Sequence, residues 1–331
     1  MTPVEQQYRS VVNRIAASLL LFLGLSQIMG VILTFLPVFL NNMSMRTADI
    51  VYELIHGLLY AAVFVLPVFF FRLISRGKEQ QPLELALELP RETPLYLFVG
   101  VAVICAAVYI NSLIVGLFDY ASFTDEVIWN QSVTFHYQLV LQVFVMAVVP
   151  AFVEELLFRG LVLKNLLPYG RTAAIVASAL LFGAMHQNAG QFFYATAAGV
   201  VLGLIYTKTK SFWCCVLLHF CNNFFSALQM AIAERMPNHT GSLVLLIMDC
   251  TLLAAGLVSA VILMHRARDP REAVRAQGVF ESTVPPHPDF EECPIAPHRK
   301  LTLFCSVPMV LFLALCAVQM VLYILLAVFF Y

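Results

Sequence analysis

Long apolar runs, each closed by a short polar or turn-forming segment, recur along the whole chain. About 20 apolar residues are enough for a helix to cross the hydrocarbon of a bilayer. On that rule the pattern predicts helices near residues 12–40, 50–74, 95–118, 137–167, 172–187, 190–207, 211–235, 243–265 and 301–329. The fifth is short, and Pro168, Gly170 and Gly190 bracket it with turn residues. The polar segments differ in kind. Residues 119–136 carry Asp119, Asp125 and Glu126 and read as an acidic outer loop, whereas 266–300 mix arginine, acid and proline and read as a flexible cytoplasmic linker that detaches the last helix. The chain then divides into N-terminal transmembrane helices (1–118), an outer loop (119–136), a helical core (137–235), an additional transmembrane helix (236–265), the linker (266–300) and a C-terminal transmembrane helix (301–331).

Charge orients these spans. Arg9, Arg14, Arg72, Arg76, Lys78, Arg91, Lys164, Arg171, Lys208, Lys210 and the basic residues from Arg266 to Lys300 all fall at one side, and only Arg46 and Arg235 fall at the other. Cytoplasmic loops carry the excess of Lys and Arg, so the N-terminus is expected in the cytoplasm and the C-terminus outside, in what is expected to be a bacterial cell membrane. Omitting 172–187 as a span would put Lys208 and Lys210 on the wrong side. The start of the chain leads into an apolar run too long for a signal h-region, so no cleavable signal peptide is expected.

Composition agrees: 61% of residues are hydrophobic and 12% charged, with a mean hydropathy of +0.85, far more apolar than a globular domain. The expected fold class is all-α, a polytopic integral membrane protein of eight or nine transmembrane helices. A formal net charge of −1 offers no basic field for nucleic acid, and no such partner is expected. The cysteines form no CxxC pair and fall mostly within apolar runs, which argues against a disulfide framework or a cysteine metal site.

Against this background Glu154, Glu155 and Arg159 stand out within the fourth span. An ionised group in hydrocarbon costs at least a few kcal/mol. Glu155 and Arg159 are four apart with the acid first, the favourable orientation for pairing on a helix. Glu154 points about 100° away, which leaves it without a partner on its own helix. Two further spans carry polar groups at the same spacing, Phe182 and His186 on the fifth and His219 and Asn223 on the seventh.

At about 1.5 Å per residue, Glu154 lies about 21 Å from Pro168, His186 about 24 Å from Gly170, and His219 and Asn223 about 13 and 20 Å from Lys210. Groups from three helices therefore share one layer of the membrane, a pattern that reads as one intramembrane site. Cys221 and Ser226 are read as lying off the face of His219, so no side-chain nucleophile is expected. Two chemistries stay open. Glu154 could take a proton from water and pass it to a leaving amine, with His186 positioning the water and His219 and Asn223 donating to an oxyanion. Alternatively, His186, His219 and Glu154 could hold a catalytic zinc with water as its fourth ligand. Ala195, Gly199 and Gly203 form a small-residue stripe on the sixth span that suits close helix packing.

The three motifs, EExxxR at Glu154, Glu155 and Arg159, FxxxH at Phe182 and His186, and HxxxN at His219 and Asn223, resemble in order and spacing the CAAX prenyl protease and bacteriocin-processing family. These are intramembrane proteases, also described as Abi or type II CAAX endopeptidase-like metalloproteases. The resemblance covers about residues 137–235. It implies an endopeptidase acting on membrane-associated peptides or proteins, prenylated C-termini or leader and toxin peptides, in contact with the lipid bilayer. It further implies that Glu154 is the base working with His186, and that His219 and Asn223 stabilise the oxyanion or in part bind metal. The first three helices and the last two carry no part of the resemblance. Two other functions compete: a non-catalytic scaffold or regulator that binds another membrane protein, and a proton-coupled transporter, which also buries carboxylates and histidines.

Overall fold

The computed structural model describes residues 1–117, 136–236, 238–268 and 295–330. The acidic outer loop expected at 119–136 lies outside the described residues except for its last position, and so does most of the linker expected at 266–300. Among the described residues all regular structure is helical. In order these helices are α1 (Pro3–Leu40), α2 (Met45–Ile74) and α3 (Thr93–Leu117), followed by α4, a continuous rod made of His136–Val143, Phe144–Val148, Val149–Glu155, Leu156–Leu163 and Lys164–Leu166. Then come α5 (Arg171–Met185), α6 (Ala189–Thr209), α7 (Phe212–Arg235), α8 (His239–Arg268), α9 (Pro297–Phe304) and α10 (Val307–Phe330). All but α5 and α9 are long and apolar enough to cross a membrane, eight in all among the described residues.

Two expectations need correction. The fifth predicted span is a helix of 15 residues, about 22 Å long against a hydrocarbon core of about 30 Å. It stops because His186 caps it and Gln187 takes a left-handed φ of 56°, after which Asn188 accepts a hydrogen bond from the Gly190 N–H and starts α6. The last predicted span is two helices. Pro308 has no N–H for the carbonyl of Phe304, so the helix breaks at Cys305 and Ser306 and restarts with the proline in its first turn. Nor is this last helix detached, for α10 buries Met309, Phe312 and Cys316 and packs against α1 and α5.

The rod α4 is the centre of the molecule. Half of its most apolar window is buried in protein, the largest share of any span, and α2, α5 and α7 surround it. The short α5 and the longer α6 form an antiparallel hairpin, with Ile175 beside Gly203 and Ala179 beside Gly199. A Cβ on Gly199 would come within 2.9 Å of the Ala179 Cα, so only glycine permits this approach. The small-residue stripe is therefore a packing face, and it brings the carbonyl of Gly199 close to α4. On the far side of the bundle, the buried Asp249 of α8 accepts from Gln229 Nε2 at 2.7 Å and from the Tyr109 hydroxyl, which ties α3, α7 and α8 together.

A polypeptide strap joins α2 to α3. Residues 79–90 have no regular secondary structure and cross the end of the bundle rich in Lys and Arg. Arg14 of α1 donates to the Glu79 carbonyl at 3.0 Å, Asn165 of α4 accepts from the Gln81 N–H at 2.9 Å, and Lys164 pairs with Glu84 at 2.9 Å. Farther on, Trp213 and Ser211, at the start of α7, donate to the carbonyls of Leu85 and Glu88. Gly160 leaves room for Leu83, whose Cδ1 would lie 2.7 Å from a Cβ there.

Candidate active site

The rod α4 is α-helical except for two π-helical stretches, Phe144–Val148 and Leu156–Leu163, which flank the glutamates. Such widened turns are rare and occur often at functional sites. The first has a visible cause in Pro150, which has no N–H and whose ring crowds the carbonyl four residues back. That carbonyl belongs to Met146, and Asn223 of α7 supplies the missing donor through Nδ2 at 3.2 Å.

Glu155 faces away from open space. Its Oε1 accepts from Arg159 Nη1 at 2.9 Å and from His219 Nδ1 at 2.8 Å, and both ionic side chains of the pair are fully buried. Arg159 extends this link by donating Nη2 to the Gly199 carbonyl at 3.0 Å. Its guanidinium carbon stands 5.0 Å from the centre of the Phe182 ring. That ring also packs edge-on against Phe158, His186 and His219. The phenylalanine of the FxxxH motif is therefore the apolar hub on which the cation and both imidazoles rest.

Glu154 turns the other way, onto the wall of a cavity of about 600 Å³ that Phe182, His186, His219 and Asn223 also line. The hydroxyl of Tyr60 on α2 donates to its Oε1 at 2.5 Å, while Oε2 is buried with no hydrogen-bond partner and stands 3.9 Å from His219 Nε2. The tautomers of both histidines follow from their partners. His186 Nδ1 lies 2.8 Å from the Phe182 carbonyl, which can only accept, so Nδ1 carries the proton. His219 Nδ1 donates in the same sense to Glu155. Each ring therefore has Nε2 left for a reactant. Burial of an unpartnered carboxylate oxygen is costly, and a water or a substrate N–H in the cavity would relieve it.

Of the six residues expected at the site, Glu154, His186, His219 and Asn223 line the cavity, whereas Glu155 and Arg159 stand behind His219 and do not reach it. Further wall residues escaped the sequence reading, among them Ser226, Tyr60 and Asn111. Ser226 was expected off the face of His219, but it is seven residues on, about two helical turns, and lies on the cavity wall. Tyr60 and Asn111 come from α2 and α3, helices outside the resemblance. Glu53, His56 and Tyr60, spaced by three and four along an apolar span, were the legible signal for α2.

The donor set of Glu154, His186 and His219 suits zinc in kind, but its spacing does not. Among the described residues no three His, Cys, Asp or Glu side chains are grouped to hold one ion. The 3.9 Å between His219 Nε2 and Glu154 Oε2 also exceeds the separation of about 3.4 Å between two ligands of a tetrahedral zinc.

Fold and site together define a class: an integral membrane protein, all-α and polytopic, with carboxylate and imidazole groups converging within the helix bundle. Residues 136–225, from the start of α4 to just beyond Asn223, match the family model of Type II CAAX prenyl endopeptidase Rce1-like proteins. Over this segment the chain is similar to that family, in keeping with the resemblance that the three motifs carry. No curated protein and no solved structure matches the chain.

Proposed function

We propose that the protein is an intramembrane endopeptidase that hydrolyses peptide bonds of membrane-associated substrates by glutamate-activated water. The observation that carries this reading is Glu154, which lines a cavity that two imidazoles share and has a buried carboxylate oxygen, Oε2, with no partner. In the proposed reaction, Oε2 removes a proton from water while His186 Nε2 accepts the water's other hydrogen bond. The water oxygen bonds to the peptide carbonyl carbon, and the carbonyl oxygen becomes an oxyanion. When this intermediate collapses, the C–N bond breaks, the carbonyl re-forms and Glu154 returns its proton to the leaving nitrogen, giving a carboxylic acid and an amine.

His219 lies between two carboxylates, and Arg159 balances the charge of only one of them. A proton on His219 Nε2 would neutralise the cluster and give the oxyanion a donor. Asn223 has one Nδ2 hydrogen engaged by Met146 and a second that can add to it.

The test is single-turnover cleavage of membrane peptides by purified protein in liposomes, comparing wild type with Glu154→Gln and His186→Ala. Loss of general acid–base catalysis predicts a rate lower by about 10²- to 10⁴-fold for Glu154→Gln. Equal rates would remove the assignment. Metal is tested separately, by elemental analysis of protein purified without added metal and by activity in chelator. Full activity without stoichiometric zinc is expected, and zinc at one equivalent with chelator-sensitive turnover would replace the glutamate-and-water scheme.

A further inference from the structure

We propose that Asn222, at one of the unspecified positions of the HxxxN motif, is a positioning residue: it fixes which way the Asn223 amide points and so makes that amide a donor to the oxyanion. This rests on the endopeptidase reading above, in which Asn223 adds a hydrogen bond to the oxyanion, and concerns what sets that bond.

Successive residues on a helix point about 100° apart, so the side chains of neighbours do not ordinarily face each other. Asn222 and Asn223 do meet. Both line the cavity, and Asn222 Nδ2 donates to Asn223 Oδ1 at 3.2 Å. On its other side, Asn223 Nδ2 donates to the Met146 carbonyl, also at 3.2 Å. A backbone carbonyl can only accept, so the atom of Asn223 that faces Met146 is the nitrogen. Its oxygen then faces Asn222, and the atom of Asn222 that meets it is a nitrogen in turn. The donors run one way, from Asn222 to Asn223 to Met146.

The two ends of an amide side chain are close in size, and hydrogen bonds decide between its two orientations. Turned over, Asn223 would set its oxygen against the Met146 carbonyl and its nitrogen against the Asn222 nitrogen, losing both bonds. As it stands, its oxygen is engaged by Asn222 and its nitrogen keeps one hydrogen beyond the Met146 bond. A donor fixed in advance costs no reorganisation when the oxyanion forms. An amide free to turn would present that charge with an oxygen part of the time.

The experiment measures kcat and KM for cleavage of membrane peptides by the full-length protein in liposomes. Asn222→Ala and Asn222→Asp are each made alone and on an Asn223→Ala background, with melting temperatures in detergent to express each rate per folded molecule. Asn222→Ala removes the donor and should lower kcat by about two- to tenfold, the range of one neutral hydrogen bond. Asn222→Asp keeps the shape but puts an acceptor against the Asn223 oxygen, and a loss of about a hundredfold is expected, as for one oxyanion donor. KM should hardly change, because the bond acts in the transition state. On Asn223→Ala both changes should be nearly silent.

A packing role predicts the opposite order, with the isosteric Asp milder than Ala, and that order would overturn the proposal. So would a loss in Asn222→Asp that persists undiminished on Asn223→Ala, since the new charge would then act directly. The endopeptidase reading fails separately, by wild-type rates in Glu154→Gln. Cleavage that is lost in Glu154→Gln but kept in Asn222→Asp overturns the role of Asn222 alone.

Discussion

Asn223 donates its side-chain N–H to the carbonyl of Met146, which Pro150 leaves without a helical donor. The amide of the HxxxN motif is thus bound up with the backbone shape of the helix that presents Glu154. Asn223→Leu should destabilise the protein by about 1–3 kcal/mol, the cost of a buried unsatisfied carbonyl. Pro150→Ala restores an N–H to the same position and should recover part of that loss. A double-mutant cycle in detergent unfolding is expected to give a coupling of about 0.5–3 kcal/mol. Strictly additive losses would refute the link.

The hydroxyl of Tyr60 holds Glu154 Oε1, while Oε2 is buried without a hydrogen-bond partner. Tyr60→Phe removes one hydrogen bond to a charged group, about 1.5–3 kcal/mol, which as a loss of transition-state stabilisation is about ten- to hundredfold in kcat. KM should change little, since the ring keeps its packing on Phe64. An unchanged kcat would show that Tyr60 does not position the base.

The pair Glu155 and Arg159 is completely buried. Removing one partner, as in Glu155→Ala, should cost about 3–5 kcal/mol by leaving an uncompensated charge. Arg159→Lys should also destabilise, because one ammonium cannot reproduce the fork that reaches both Glu155 and Gly199. The double variant Glu155→Leu, Arg159→Met should regain stability but not activity, since His219 then has no carboxylate to orient it. A fully active double variant would end the positioning role.

Two glycines of the α5–α6 hairpin should respond differently. A Cβ at Gly199 meets the backbone of Ala179, whereas at Gly203 it meets the side chain of Ile175 at 3.1 Å, which can shift. Gly199→Ala is expected to destabilise by about 1–3 kcal/mol and to disturb Arg159 through its carbonyl partner, with Gly203→Ala costing less. The order of the two melting temperatures checks this, and the reverse order would contradict it.

Much of the site could be read from sequence because membrane burial makes ionisable side chains conspicuous. Glu154, Glu155, Arg159, His186 and His219 announce themselves against apolar neighbours, and spacings of four place pairs on one helix face. Tyr60 was harder to single out: its spacing of four from His56 marks a polar face on α2, but only the fold shows its hydroxyl on Glu154. The truncation of α5 depends on a left-handed turn at Gln187, a residue with no preference for that conformation. The break before α10 could have been read from Pro308, but hydropathy alone ran through it.

The strap between α2 and α3 also constrains how the protein is made. Its anchors at Asn165, Ser211 and Trp213 lie downstream of it in the chain. During synthesis residues 79–84 can dock once α4 has emerged, whereas Leu85 and Glu88 must wait for the start of α7, after four more helices have been made. The last anchors of the strap can form only after α7 has begun to emerge, so a nascent chain passes through a stage in which the strap is held at one end alone.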